Sequence, residues 1–253
     1  MTAVSVQCEG PVTVLKLSRP PHNFFDETMI RALADAVEAA DRDGAVRVCL
    51  LAAEGRNFCA GADFGGNNRP DPAPIYTQAI RLFARAKPLI AAINGSAVGG
   101  GLGLALVADM RVGTVATTFH ANFTRLGIPP GFGITHTLPR TVGAQAARDM
   151  LLTGSRVGGE EARRLGLLDR LLDDDLQAGA LAFARELAAT APTATLATRA
   201  LLGHGERDMF AAAVARELDA QRPLFASPDF AEGVAAARER RRPDFSNPTE
   251  TAP

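Results

Sequence analysis

Residues 88–108 read PLIAAINGSAVGGGLGLALVA, a stretch of 21 residues without a charge. It divides into three pieces. Leu89 to Ile93 is a short apolar run that enters the polar group Asn94-Gly95-Ser96, as a buried strand entering a turn does. Leu102, Leu104, Ala105, Leu106, Val107 and Ala108 suit a buried helix, which puts Gly99-Gly100-Gly101 at its N-terminus. The stretch is long enough to span a bilayer. Its five glycines, with Asn94 and Ser96, favour strand, turn and helix over a membrane span. At a helix N-terminus the first N–H groups lack intrahelical partners, and without Cβ atoms a ligand oxygen can approach them. One such N–H polarises a carbonyl, and two from separate turns make an oxyanion hole. Taken alone, a glycine triplet is better explained by a tight turn or close helix packing without chemistry.

The same pattern occurs upstream. Residues 46–53 are rich in Val and Leu and lead into Glu54-Gly55-Arg56-Asn57, followed by a second glycine turn, Cys59-Ala60-Gly61-Ala62-Asp63. Further out, Asp26 is placed to cap a helix with Met29, Ile30, Leu33, Val37 and Ala40 on one face. Pro72 and Pro74 open another, with Ile75, Ala79, Ile80 and Phe83 in register. From Asp173 onward the strand signals stop. Leu176, Ala180, Phe183 and Leu187 mark one helix of the tail, and Met209, Phe210, Val214 and Leu218 mark another. The expectation is an α/β core over residues 1–190 and a helical region over 191–253.

Composition narrows the class. The chain has 253 residues, is 47% hydrophobic and carries a net charge of −1, so nothing favours nucleic acid or an anionic membrane as partner. Cys8, Cys49 and Cys59 form no CxxC pair, which speaks against a zinc site or disulfide framework and for a reducing compartment. Residues 1–10 lack the basic start and apolar core of a signal peptide, so a cytoplasmic location is expected. A dinucleotide fingerprint fails because Leu104 and Leu106 stand where its last glycine belongs. There is no Gly-Lys-Ser/Thr, no G-x-S-x-G and no H-E-x-x-H.

Taken together, several segments resemble the crotonase family, the enoyl-CoA hydratase/isomerase superfamily. They are Leu17-Ser18-Arg19-Pro20 with Asn23, Phe58-Cys59-Ala60-Gly61-Ala62-Asp63, the run from Lys87 to Gly95, and Gly99-Gly100-Gly101 with Asp109. Leu126-Gly127 through Pro130-Gly131, Leu138-Pro139-Arg140, and Glu160-Glu161-Ala162 through Gly166-Leu167 complete the set. The resemblance implies a spiral of ββα units with C-terminal helices that pack in trimers, hence a homotrimer or a dimer of trimers. It implies that the N–H groups of Ala62 and Gly100 form an oxyanion hole for an acyl-CoA thioester. The backbone around Ala60 would then hold the adenine, and Gly61, Asp63, Phe64, Phe123, Phe132 and Arg19 would be further substrate contacts. Coenzyme A would enter as part of the substrate, with no separate cofactor and no metal.

The departures from the pattern bear on the reaction. Hydratases of the family place one glutamate two residues after the glycine triplet and another four residues before the glycine of the Leu-Gly pair; here these positions hold Gly103 and Phe123. Related isomerases and dehalogenases place a carboxylate after the proline at 130, and here it is Gly131. His120, His136 and Tyr76 are the remaining acid/base candidates, each with a structural reading beside the functional one. Cys59 reads as a small buried thiol. The cluster Arg238, Arg240, Arg241 and Arg242 reads as a helix C-terminus complement or a contact for CoA phosphates. Three functions follow: an acyl-CoA enzyme that stabilises a thioester enolate with a non-standard proton carrier, a decarboxylase-like variant, or a non-catalytic acyl-CoA binding protein.

Overall fold

The computed structural model describes residues 3–63, 71–173 and 175–246. In chain order the strands and helices begin β1 (Val4–Glu9), β2 (Val12–Leu17), α1 (Glu27–Arg42), β3 (Val48–Ala53), α2 (Ala73–Phe83), β4 (Leu89–Ile93), β5 (Ser96–Val98) and α3 (Gly100–Val107). They continue β6 (Met110–Gly113), β7 (Thr118–His120), α4 (Ile134–Val142), α5 (Ala144–Thr153), β8 (Arg156–Gly158), α6 (Gly159–Leu165) and β9 (Arg170–Leu171). The chain then runs through α7 (Leu176–Ala188), α8 (Pro192–Leu202), α9 (Glu206–Leu224) and α10 (Pro228–Glu239). A 3-10 turn at Thr124–Leu126 follows β7.

One sheet has the order β1-β2-β3-β4-β6-β9, antiparallel only at the β1–β2 hairpin and parallel from β2 onward. A second, smaller sheet has the order β5-β7-β8. Successive passes repeat a motif: a strand in the large sheet, a strand in the small one, then helix, as in β4-β5-α3. This is the spiral of ββα units. The pass before it is abbreviated: among the described residues after β3, the chain pairs with the small sheet through the Cys59–Ala97 bridge.

The central strands β3 and β4 of the large sheet are apolar on both faces because both are covered. Val48, Leu50 and Ala52 pack with Ile90, Ala92 and Val112 under Leu176, Ala180, Phe183 and Ala184 of α7. Cys49, Leu51, Ala91 and Ile93 face the larger core of α1, α3 and the small sheet. That two-sided burial is why 46–53 and 89–93 read as continuous apolar runs rather than alternating ones.

Local signals decide several boundaries. Asp26 caps α1, its carboxylate accepting the Met29 N–H at 2.9 Å. Gly99, at φ +53, turns the chain into α3 where the glycine triplet predicts a helix start. On α2 the buried stripe is Tyr76, Ala79 and Leu82, while Ile75, Ile80 and Phe83 lie half-buried on its flanks. The helix is rotated from the expected register because its inner face abuts the aromatic cavity described below. In the tail, Phe210 and Val214 are buried as expected, whereas Met209 is exposed. No strand follows Asp173 among the described residues, and no helix among them is long and apolar enough to cross a membrane.

Candidate active site

The two glycine turns are brought together by backbone pairing. Cys59 N–H donates to Ser96 O at 3.2 Å, and Val98 N–H donates to Cys59 O at 3.0 Å. On the other side Phe25 N–H donates to Gly61 O at 2.9 Å. A Cβ on Gly61, at φ +95, would stand 3.0 Å from Val98 O and 3.4 Å from Gly100 N, and one on Gly101 would meet Cys59 O at 2.1 Å. Only glycine lets these two turns touch. Among the described residues neither Ala62 N–H nor Gly100 N–H has a protein acceptor, and both residues line the same cavity.

That cavity has a volume of about 460 Å³. One wall runs from the turns inward as a chain of rings. A Cβ on Gly100 would meet Phe25 Cζ at 2.6 Å, Phe25 and Phe132 lie 5.5 Å apart between centroids, and Phe132 and Tyr76 lie 6.4 Å apart edge to face. At the inner end the Tyr76 hydroxyl donates to Gln221 Oε1 at 2.5 Å, and Gln221 Nε2 donates to Pro129 O at 2.8 Å. Burial pushes the Tyr76 phenol well above its ordinary range, and the nearby Glu217 carboxylate adds to this.

The positions where the family pattern leads one to look for carboxylates are physically taken. A Cβ on Gly103 would lie 2.7 Å from Phe132 Cβ. One on Gly131 would lie 1.8 Å from Tyr76 Oη and 2.7 Å from Gln221 Nε2. Position 123 carries a buried phenylalanine that itself lines the cavity. Phe132 is held in place from behind: it adopts φ +65, and the N–H of the next residue, Gly133, donates to Glu217 Oε2 at 2.6 Å. Glu217 Oε1 also accepts the Thr135 N–H and hydroxyl at 2.7 and 2.6 Å.

The sequence-derived candidates divide cleanly. Ala60, Gly61, Ala62, Asp63, Tyr76, Gly100, Phe123 and Phe132 all line the one cavity. Phe64 lies outside the described residues. Arg19 lies apart from the lining and pairs with Asp26 at 2.9 Å, which fixes the loop before α1. His120 does not reach the cavity: its Nε2 donates to Gly154 O at 2.9 Å, and burial lowers its pKa to about 4. His136 is also absent from the lining; its ring packs edge-on against the stacked Phe83 and Phe210 rings, with Nε2 2.8 Å from Glu206. Cys59 donates to Asn23 O at 3.1 Å, and burial pushes its thiol up to about 12. Arg238 lines the cavity, while Arg241 is taken by Glu232 and Glu239.

Sequence reading missed several residues of the site. Gln221 and Phe225 come from the helical tail, far from any motif, and only the packing of α9 on α2 and α4 places them. Asn122 lines the cavity beside Gly99, and its Oδ1 is buried without a partner among the described residues. Its position one residue before Phe123 was the available signal.

The fold is a spiral of ββα units, and both glycine turns line one apolar cavity within it. The enoyl-CoA hydratase/isomerase family model matches residues 7–248, and the chain belongs to that family, enzymes of acyl-CoA metabolism. It is 34% identical over 252 residues to the 1,2-epoxyphenylacetyl-CoA isomerase of Escherichia coli K12, covering 94% of this chain and 96% of the relative. To the 2,3-dehydroadipyl-CoA hydratase of the same organism it is 33% identical over 252 residues, covering 97% and 99%. Among solved structures, an enoyl-CoA hydratase/isomerase from Pseudoalteromonas atlantica T6c superposes with a TM-score of 0.87 at 30% identity, covering 96% of this chain and all of that one.

Proposed function

We propose that this chain is an acyl-CoA enzyme in which the N–H groups of Ala62 and Gly100 hold the thioester carbonyl and stabilise the enolate that develops there. The observation that carries this reading is the contact of the two glycine turns, with both N–H groups lacking a protein acceptor among the described residues at the wall of an apolar cavity. The names of the two E. coli relatives, both for acyl-CoA compounds, agree with it. As charge moves onto the carbonyl oxygen, donors already aimed at it need no reorganisation, and in other enzymes each such donor contributes about 10² to 10³ in kcat. Coenzyme A enters as part of the substrate, its adenine against the backbone around Ala60.

The proton is not handled by the family's glutamates, since positions 103 and 131 are glycine and 123 is phenylalanine. Tyr76 is the one titratable side chain at the buried end among the described residues, and its proton is committed to Gln221. In the reading we favour, a water or another non-standard carrier moves the proton. The empty acid/base positions also admit a second reading, a substrate that loses CO2: the Cα–carboxylate bond breaks, its electron pair becomes the enolate, and a proton from water completes the product. A protein that binds acyl-CoA without turnover is the third.

A panel of saturated, 2-enoyl and malonyl-type CoA thioesters tests the three together. Turnover without CO2 supports the first, CO2 release the second, and tight binding with no turnover the third. Gly100→Pro removes one donor, and any activity should fall by the equivalent of about 2.7 to 4 kcal/mol. Unchanged turnover in a Gly100→Pro variant with a native circular dichroism spectrum would refute the oxyanion hole.

A further inference from the structure

The cavity is electrically one-sided. At its exposed end stand Asp63 and Arg238, the latter the one cation lining it among the described residues. The buried end is closed by Phe132 and by the neutral Tyr76–Gln221 pair, whose hydroxyl and amide are already bonded to each other and to Pro129 O. Behind that end, across the Gly131–Gly133 backbone, lies the buried carboxyl of Glu217, whose pKa burial raises, with no cation bonded to it among the described residues. An acyl group that reaches inward from the Ala62–Gly100 turns therefore meets rings and two neutral side chains already bonded to each other, with the Glu217 carboxyl behind them and no cation at that end among the described residues. An anionic tail there would lose its hydration with no counter-charge in return, whereas an apolar tail would gain contact with the rings.

Resting on the acyl-CoA reading above, we propose that the far end of the acyl group taken by this site is uncharged and apolar, a ring or a saturated chain. The Tyr76–Gln221 pair with Glu217 behind it excludes an ω-carboxylate. The inference concerns only the end distal to the thioester, so it is independent of whether a carboxylate is lost next to the carbonyl.

Calorimetry with phenylacetyl-CoA, hexanoyl-CoA and adipyl-CoA, with free CoA as reference, tests this on the full chain. Hexanoyl-CoA and adipyl-CoA share the six-carbon length and differ in the terminal carboxylate. The expected result is phenylacetyl-CoA and hexanoyl-CoA each binding at least tenfold more tightly than adipyl-CoA. Glu217→Gln keeps the shape and removes the charge, and it should narrow the hexanoyl-to-adipyl ratio at least threefold. Gln221→Lys, which puts a cation at the buried end, should narrow it further and serves if Glu217→Gln does not fold. Adipyl-CoA binding within threefold of hexanoyl-CoA, or a ratio that neither variant moves, would overturn the proposal. Failure of all three thioesters and of CoA to bind would instead overturn the acyl-CoA reading on which it rests.

Discussion

Replacing Gly103 with alanine sets two effects of opposite sign against each other. Gly103 lies inside α3, where alanine is favoured over glycine by about 1 kcal/mol. On helix propensity alone the variant should be more stable. The structure says otherwise. The added Cβ would lie 2.7 Å from Phe132 Cβ and 3.1 Å from Cγ and Cδ1, where carbon atoms pack at about 3.5 to 4.0 Å. Phe132 has little room to give way: it is 1% exposed, sits at φ +65, is tied through Gly133 to Glu217, and packs against Phe25 and Tyr76. Overpacking of this kind costs about 1 to 3 kcal/mol. The net expectation is a loss of about 1 kcal/mol, which in a chain of this size lowers Tm by about 2 to 4 °C. Thermal denaturation followed by circular dichroism at a fixed scan rate is the assay. Gly44→Ala, whose Cβ would meet nothing within 4 Å, is the control and should be neutral or slightly stabilising. A higher Tm for Gly103→Ala than for the parent would show that Phe132 does not occupy the position next to Gly103, and the account of the filled acid/base position would fall with it.

Further outcomes follow from the same site and its surroundings. The chain should hydrate crotonyl-CoA poorly, since a positioned acid or base typically contributes about 10² to 10⁴ in rate and neither family position supplies one; turnover above about 10² per second would show that another group does the work. His120, with its pKa lowered to about 4 in the fold against about 6.5 unfolded, binds fewer protons native than unfolded, so its contribution is intact above pH 6.5 and erodes as pH falls toward 4. Urea midpoints measured across that window should fall less steeply for His120→Gln, and an identical slope would remove His120 as a source. Cys8 is exposed, whereas burial pushes Cys49 up to about 11 and Cys59 up to about 12. A thiol reagent should therefore modify one cysteine in the native protein and three after denaturation; fast modification of Cys59 in the native state would contradict its burial. Leu201, Leu202 and Met209 are large apolar side chains exposed on the single chain, consistent with assembly, and light scattering should report a trimer or a multiple of it; a monomer would count against it.

How much of this was legible in the sequence depends on whether a residue acts through its neighbours in the chain or through distant ones. The glycine triplet was readable because a helix start and a positive φ are local demands, and Gly99 meets both at the start of α3. The two-sided burial of β3 and β4 was readable as runs without alternation. The inner wall of the cavity was not. Tyr76 and Gln221 are 145 residues apart and Gly133 and Glu217 are 84 apart, so no periodicity or spacing connects them. The rotation of α2 that buries Tyr76 in place of Ile75 or Ile80 is likewise set by the rings it meets rather than by its own pattern.

The same contrast separates the two glycine turns from the side-chain positions around them. The frame is backbone: two turns, held by hydrogen bonds between Cys59, Ser96 and Val98, present N–H groups whatever the surrounding side chains are. The acid/base positions are side chains, and here Gly103 and Gly131 are coupled to what fills their space. Phe132 can stand beside position 103 only because that residue has no Cβ, and the Tyr76 hydroxyl can reach Gln221 only because position 131 has none. Restoring a glutamate at position 103 alone would therefore drive it into Phe132 rather than toward a ligand. Recovery of carboxylate chemistry requires at least a paired change, Gly103→Glu with a small residue at 132. Substitutions that share one cavity are coupled. In this chain the glycines at 103 and 131 and the aromatic wall that fills their space are one arrangement, so the reaction and the acyl preference proposed for this site have to be read together.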